Sequence, residues 1–473
     1  MRARLIEWVV LGYAVGLSAC GPESPATVTR PLPALSFGAG DSYFVINGTP
    51  RPLMTRNITG ESVAAIDSLL DQAAAAGDTL IRLHLIHGLG DGITPAGEVD
   101  EAWAAEWDAV FDHASSVGLH VMPVFGVWAD WNDGIPDYGF ANWPINAWNA
   151  ANGGPASDPG ELWQAGSVVQ NDWMAWLGTL VDRWQGRPNV AAWEVFSELD
   201  IASGVDETSG AAFAAEAASI VRSEDTGHRP VMASLTVLND WPTLNASDTV
   251  DILQVHGYAD PLDSFLISQV TGLLAEYGKP VMIGESGLSA AAPTGNTDTT
   301  EPNAALDVRH AIWAGVVSGS MTARSLWWED GYAIYEPAGT TLVDDYADTE
   351  AAAATFVGRL DFTGVAPLGL VLPPELVGGA VGNASQIIGW VRNATCTAPA
   401  PDCGTLSAES LLLPGGANTW TATFYDTSTG QAMPGPITVV SNGSALTLSL
   451  PAFTDDLAFT LVPAAAAPAN LGR

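Results

Sequence analysis

Eight short apolar runs, each followed by a stretch that suits a helix, occupy most of the first three quarters of this chain. The runs are PLMTRNI from Pro52, TLIRLHLI from Thr79, LHVMPVFGV from Leu119, VAAWEVF from Val190, PVMASLTV from Pro230, DILQVHGY from Asp251, PVMIGE from Pro280 and TARSLWWE from Thr322. Stretches such as ESVAAIDSLLDQAAAA, VQNDWMAWLGTLVDRW and PNAALDVRHAIWAGVVSG lie between them. A strand covered on both faces reads as a continuous apolar run, and alternation with helices implies parallel pairing. Eight such repeats make a closed (β/α)8 TIM barrel the economical reading, over residues 37–360. Active sites of such barrels sit at the C-terminal ends of the strands. Polar residues that end the runs are therefore the first candidates for function.

A barrel takes about 250 residues or more, which leaves room for one small further unit in a chain of 473. Beyond a last helix near Asp348 to Leu360, a Gly/Pro/Leu-rich stretch over 361–378 reads as a linker. The short alternating runs QIIGWVRN, ESLLLP, TWTATFYDT, ITVVSN, ALTLSLP and DLAFTLV then predict a small antiparallel β-sandwich over 379–465, with a tail at 466–473. At the other end Arg2 and Arg4 precede an apolar run from Trp8 to Leu17 and the small residues Ser18 and Ala19. Residues 1–20 read as an export signal, too short to span a bilayer. Leu17-Ser18-Ala19-Cys20 resembles the bacterial lipobox, which implies cleavage before Cys20 and lipid attachment to its thiol. An ordinary cleaved signal with an incidental cysteine is the alternative. The Pro/Thr-rich segment 21–36 then reads as a tether. The location implied is that of an exported, cell-surface or periplasmic bacterial lipoprotein that meets the membrane only through its anchor. Without Cys20 there remains one pair, Cys396 and Cys403, close enough in sequence to bridge a loop in an oxidising compartment.

The chain carries 16 basic against 53 acidic residues, and Lys279 is its only lysine. Phosphate recognition needs clustered Lys and Arg, so nucleic acid is not expected as a partner. An uncharged polymer is indifferent to a net charge of −37. The histidines show no metal-ligand spacing and no phosphate-binding loop occurs, so neither metal nor cofactor is expected. The sequence does not set an oligomeric state.

Two acids end different runs: Glu198 in AAWEVFSEL and Glu285 in PVMIGESG. Cleaving a glycosidic bond with retention takes two carboxyl groups about 5–5.5 Å apart, one protonating the leaving oxygen and one attacking the anomeric carbon. One such Glu is as easily a surface ion pair, but two, each in its motif, are a joint signal. W-E-x-x-S-E and P-V-x-I-G-E-x-G resemble the signature of glycoside hydrolase clan A. Within that clan the chain most resembles family 5, with its cellulase- and mannanase-like relatives, from Leu53 to about Leu360.

The resemblance implies Glu198 as acid/base, Glu285 as nucleophile, and Arg82 as the cation that keeps the nucleophile ionised. It also implies sugar and nucleophile contacts from His256 and Tyr258, which alternation places on one strand face, and an aromatic floor from Trp327 or Trp328. Each has a plainer reading, a core ion pair for Arg82 and a satisfied core histidine for His256. The clan has Asn before the acid/base where this chain has Ser197. Either another group then holds the substrate's 2-hydroxyl or the preferred sugar differs. Trp128, Trp131, Trp143 and Trp148, in the long loop after the third run, either line sugar subsites or form a mini-core. Glu194, four residues before Glu198, should lie about 13 Å deeper by strand rise, as a structural acid. Glu329 and Asp330 are rivals for a substrate contact, and His84 and His87 receive no role. The function expected is a retaining hydrolase of neutral β-linked glycans, of β-mannan or β-glucan type. The alternatives are an exo-acting β-glycosidase and a non-catalytic carbohydrate-binding lipoprotein. The sandwich either binds sugar or stabilises the barrel.

Overall fold

The computed structural model describes residues 29–60, 62–85, 92–94, 97–134, 142–237, 239–289, 302–327, 342–416 and 419–464. All eight runs contain strands: β1 Leu53–Ile58, β2 Leu80–His84, β3 His120–Val124, β4 Trp193–Glu194, β5 Val231–Met232, β6 Leu253–Tyr258, β7 Val281–Gly287 and β8 Thr322–Arg324. Parallel pairing runs in the order β8-β1-β2-β3-β4-β5, with β6 and β7 as a separate parallel pair. Single backbone bonds span the seams, Asp251 N to Val231 O (2.9 Å) between β5 and β6, and Met321 N to Val281 O (2.8 Å) and Trp327 N to Ser286 O (3.0 Å) between β7 and β8. The architecture is TIM-barrel-like.

Helices α1 Val63–Ala76, α2 Glu101–Ser116, α3 Val168–Trp184, α4 Glu207–Glu224, α5 Leu262–Tyr277, α6 Ala304–Ser318 and α7 Leu342–Val357 accompany the strands. The first four start at side-chain caps, Ser62, Asp100, Ser167 and Asp206, whose oxygens satisfy otherwise orphaned N–H groups. In α1 the buried set Ile66, Leu69, Leu70 and Ala73 follows helical periodicity and faces the strands.

Leu53, Leu80, Met122, Ala192, Met232, Ile252, Met282 and Met321, from the N-terminal end of every strand, fill the barrel base together with Phe44. The expected tether over 21–36 requires correction here. Arg30 N bonds Ser116 O at 3.1 Å, His120 Nε2 donates to Pro33 O at 2.8 Å, and Leu35–Ser36 pairs with Val45–Ile46. Residues 29–36 are part of the fold because Leu35 and Phe37 cover the apolar base. Residues 1–28, with the expected signal segment and Cys20, lie outside the described residues.

The C-terminal region is antiparallel: β9 Leu376–Gly382, β10 Ile387–Asn393, β11 Ser410–Pro414, β12 Thr419–Asp426, β13 Ile437–Val440, β14 Ala445–Ser449 and β15 Asp456–Pro463. One sheet runs β9-β10-β15-β12-β13, and the β11–β14 pair covers it. Alternation in β12 turns Trp420, Ala422 and Phe424 inward against Leu411, Leu413, Leu446 and Leu448. The expected linker 361–378 is shorter than the sequence suggests. Phe362 is buried against Tyr43, and Ala366–Pro367 already forms an edge strand on β9. The sandwich packs on the barrel through Trp390 and Val381 against Trp313, Val316 and Val317, and through bonds from Arg392 to Asp263 and His310 to Asp455. Cys396 and Cys403 are joined in a disulfide, and Thr397 and Ala398 in that loop donate to Asp307 of α6.

Between β1, β8 and α7 lies a fully buried charge cluster: Arg56 bonds Asp78 (3.1 Å) and Glu350 (2.9 Å), and Arg324 bonds Glu350 (3.1 Å). Removing one partner of a buried pair strands the others, at a cost of about 3–5 kcal/mol. Glu350→Ala is accordingly expected to lose stability of that order in urea unfolding, and a loss under about 1 kcal/mol would contradict the cluster's place in closing the barrel.

Candidate active site

Alternation along β2 points Arg82 and His84 into the barrel, and along β6 it points Gln254, His256 and Tyr258 the same way. In β7 the register slips between Ile283 and Glu285, which sets Glu285 opposite His256. Gly284 permits this close approach, since a Cβ there would lie 1.9 Å from Gln254 Oε1. Glu285 therefore enters the barrel beside β6.

Glu198 arrives differently. β4 ends at Glu194, and the chain leaves extended geometry with Glu198 at φ 53°, ψ 51°. A non-glycine residue in this left-handed region costs about 1–3 kcal/mol and persists where its surroundings enforce it. Here Glu198 N donates to Ser234 Oγ (3.0 Å) and Leu199 N to Ser234 O (3.0 Å). On the other side Ser197 N bonds Gly126 O (2.8 Å) and Trp128 N bonds Ser197 O (3.1 Å).

The floor is organised by Arg82, which is buried. Its Nε and one terminal nitrogen each donate to Glu194 at 2.7 Å, and its other terminal nitrogen donates to Glu285 Oε1 at 2.6 Å. Further bonds reach Ser197 Oγ (2.8 Å) and Asn57 Oδ1 (3.2 Å). Strand rise thus misplaces Glu194: it shares Arg82 with Glu285 and accepts a bond from Ser234 Oγ (2.9 Å). The turn between Val195 and Glu198 invalidates an extended spacing. Ser197, which stands where the clan has its sugar-binding Asn, is buried with its Oγ on Arg82.

Tyr258 donates to Glu285 Oε2 at 2.7 Å, and His256 Nδ1 lies 3.0 Å from Glu198 Oε1 and 3.5 Å from Glu285 Oε2. One oxygen of Glu198 and one of Glu285 are within 4.8 Å of each other. Donor atoms of Glu198, His256 and Glu285 are thus close enough for a cation. A proton on Glu198 and the Arg82 guanidinium on Glu285 already neutralise the pair, and we read the three as acid–base groups, not as metal ligands.

Burial, and after it the Asp200 carboxylate, push Glu198 up to about 8, against Arg82 and a hydrogen bond from the Trp128 indole. Glu285 is also raised, by burial first, while His256, Arg82 and Tyr258 pull it down. Arg82 pulls Glu285 down, in the direction expected of it, and burial pushes the other way more strongly. Burial lowers His256, which favours neutral imidazole. Because Glu285 alone carries both a guanidinium and a phenol donor, a proton shared by the two acids rests on Glu198.

The tryptophans separate into two groups. Trp131 packs with Trp143 (5.5 Å between ring centroids), Trp148 (6.2 Å) and Trp163 (6.4 Å), a mini-core inside the third loop. Trp128 is buried and its indole N–H serves Glu198, a contact outside both the sugar-subsite and the mini-core readings of the loop. Trp327 is half-buried and meets His84 edge-on at 5.1 Å, and His84 in turn touches Arg82 at 3.1 Å. Trp328, Glu329, Asp330 and His87 lie outside the described residues. The sequence reading missed Asn57, Ser234, Gln254 and Asp200. For Gln254 a signal existed, its place two residues before His256 on one strand face.

No protein-family model and no curated protein sequence matches the chain. Solved structures share its fold. One described as a glycoside hydrolase aligns at a TM-score of 0.61 and 12% identity, covering 91% of this chain and 97% of its own. A family 5 glycoside hydrolase from Bacteroides vulgatus aligns at 0.62 and 14%, covering 91% and 94%. A family 5 mannosidase from Rhizomucor miehei aligns at 0.50 and 14%, covering 69% and 98%. The chain has the fold of family 5-like glycoside hydrolases.

Trp128→Phe removes a donor that favours ionised Glu198, so the Glu198 carboxyl should titrate at higher pH, read by carbon-13 NMR of labelled glutamate. An unchanged titration would contradict the indole contact.

Proposed function

We propose that the chain is a retaining glycoside hydrolase acting on a neutral β-linked glycan, of β-mannan or β-glucan type. The observation that carries this reading is the approach of Glu198 and Glu285 to within 4.8 Å. A near approach of this kind suits double displacement, for which the carboxyl groups stand about 5–5.5 Å apart. The geometry supports distinct tasks. Glu285, steadied at one oxygen by Arg82 and at the other by Tyr258, attacks the anomeric carbon. As that bond forms, the glycosidic bond breaks and the Glu198 proton passes to the leaving oxygen. Glu198, now a carboxylate, takes a proton from water; the water oxygen bonds to the anomeric carbon and Glu285 departs.

A neutral substrate is supported by the charge of −37 and by the full commitment of Arg82 to protein partners. The like-folded Rhizomucor miehei protein is a mannosidase, which supports including mannosides in any panel. We further propose export as a lipoprotein through Cys20.

The test is incubation of the protein from Gly21 onward with neutral β-glycans and aryl β-glycosides, following anomeric configuration by NMR. Retained products are expected; tight binding without turnover across the panel would favour a capture protein instead. Glu285→Ala should lose nearly all activity and regain part with azide, giving product of inverted configuration, and full activity in that variant would refute the assignment. Glu198→Ala should lose about 10²–10⁴-fold on natural glycans but far less on aryl glycosides with good leaving groups. Equal losses would remove Glu198 from the acid role. Since Glu198 must be protonated to act, kcat/KM should fall as pH rises through about 8. This limb should vanish in Glu198→Ala.

A further inference from the structure

Asp200 lies two residues beyond Glu198, in the single turn Leu199–Ile201 that the left-handed backbone of Glu198 initiates. Its carboxylate is fixed: one oxygen accepts from Thr236 N (2.8 Å), the other from Thr236 Oγ1 (2.6 Å) and Asn239 Nδ2 (2.8 Å). Thr236 and Asn239 follow β5, two and five residues after Ser234, which holds the Glu198 backbone. The loop after β5 therefore locks both the acid and its charged neighbour. None of the steps above uses Asp200, and it lies outside the pair of sequence motifs that mark the site.

We propose that Asp200 is a positioning residue that keeps the proton on Glu198 by holding a fixed negative charge beside it. The inference rests on the glycosidase reading, in which Glu198 must enter the reaction protonated. Besides Asp200, the groups that face Glu198 among the described residues are Arg82 from β2, Glu194 from β4, His256 from β6, Glu285 from β7 and the Trp128 indole from the third loop. Arg82 and the indole favour the ionised form. Glu194 and Glu285 oppose it, but each carries a bond to the Arg82 guanidinium, and burial favours the neutral form of His256. Among the described residues Asp200 has no cation as a hydrogen-bond partner, only the Thr236 and Asn239 side chains and the Thr236 amide. Its charge therefore acts on Glu198 without a counter-ion of its own. Removing that charge stabilises ionised Glu198, so the proton leaves at lower pH.

The experiment is a carbon-13 NMR titration of glutamate-labelled protein, with the Glu198 signal assigned by its absence in Glu198→Gln, on the wild type and on Asp200→Asn. A fall of about one pH unit or more is expected, with the alkaline edge of kcat/KM moving down by the same amount and the rate near pH 6 little changed. Asp200→Ser removes the same charge with a smaller side chain and should shift the titration in the same direction, which keeps the test sound where one variant folds poorly. A uniform loss of rate with an unmoved titration in both variants would overturn the proposal, since that is the signature of a merely structural residue. The titration needs no substrate, so failure to turn over any glycan would count against the glycosidase reading alone.

Discussion

One buried guanidinium holds the site together. Arg82 pairs with both Glu194 and Glu285, and donates further bonds to Asn57 and Ser197. An unpaired charge at that depth is prohibitive, so β1, β2, β4 and β7 can meet in one arrangement only. A planar fork is required to reach several acceptors at fixed angles, and a lysine ammonium cannot reproduce it. The barrel supplies the framework for this contact. Its base is filled from every strand, and its first and last strands are tied through the Arg56–Asp78–Glu350–Arg324 cluster.

Given that floor, two carboxyl groups of the same chemistry acquire different states. Glu285 sits on a bulged strand, with a cation on one oxygen and a phenol on the other. Glu198 sits on a left-handed turn, near acids and an imidazole that burial pushes towards its neutral form. The proposed division of roles, acid/base for Glu198 and nucleophile for Glu285, rests on this difference in environment. The sandwich contributes at a distance: its disulfide loop and Arg392 brace α6 and α5, the helices that follow β7 and β6.

Much of this was legible beforehand, because a strand covered on both faces must be a continuous apolar run, and all eight such runs contain a strand. Glu198 and Glu285 were visible as acids ending runs. What escaped was whatever depends on backbone departing from regular geometry. Glu194 was placed too deep because strand rise was applied across a turn. Ser234 and Asp200 reach Glu198 only through that turn, and no spacing reports it. Trp128 could not be told from Trp131, Trp143 and Trp148, since residue type does not reveal whether an indole serves a carboxyl or its own neighbours. Residues 29–36 read as a tether because their prolines mask Leu35, whose side chain covers the base together with Phe37.

The central claim is that Glu285, and not Glu198, bonds to the sugar. The measurement that addresses it most directly is mass spectrometry of the protein after incubation with 2-deoxy-2-fluoro glucosides and mannosides bearing good leaving groups, which slow release of a covalent intermediate. The account predicts one fluoroglycosyl group on the peptide containing Glu285, lost in Glu285→Gln. An adduct on Glu198, or hydrolysis to inverted product with no adduct at all, would contradict it.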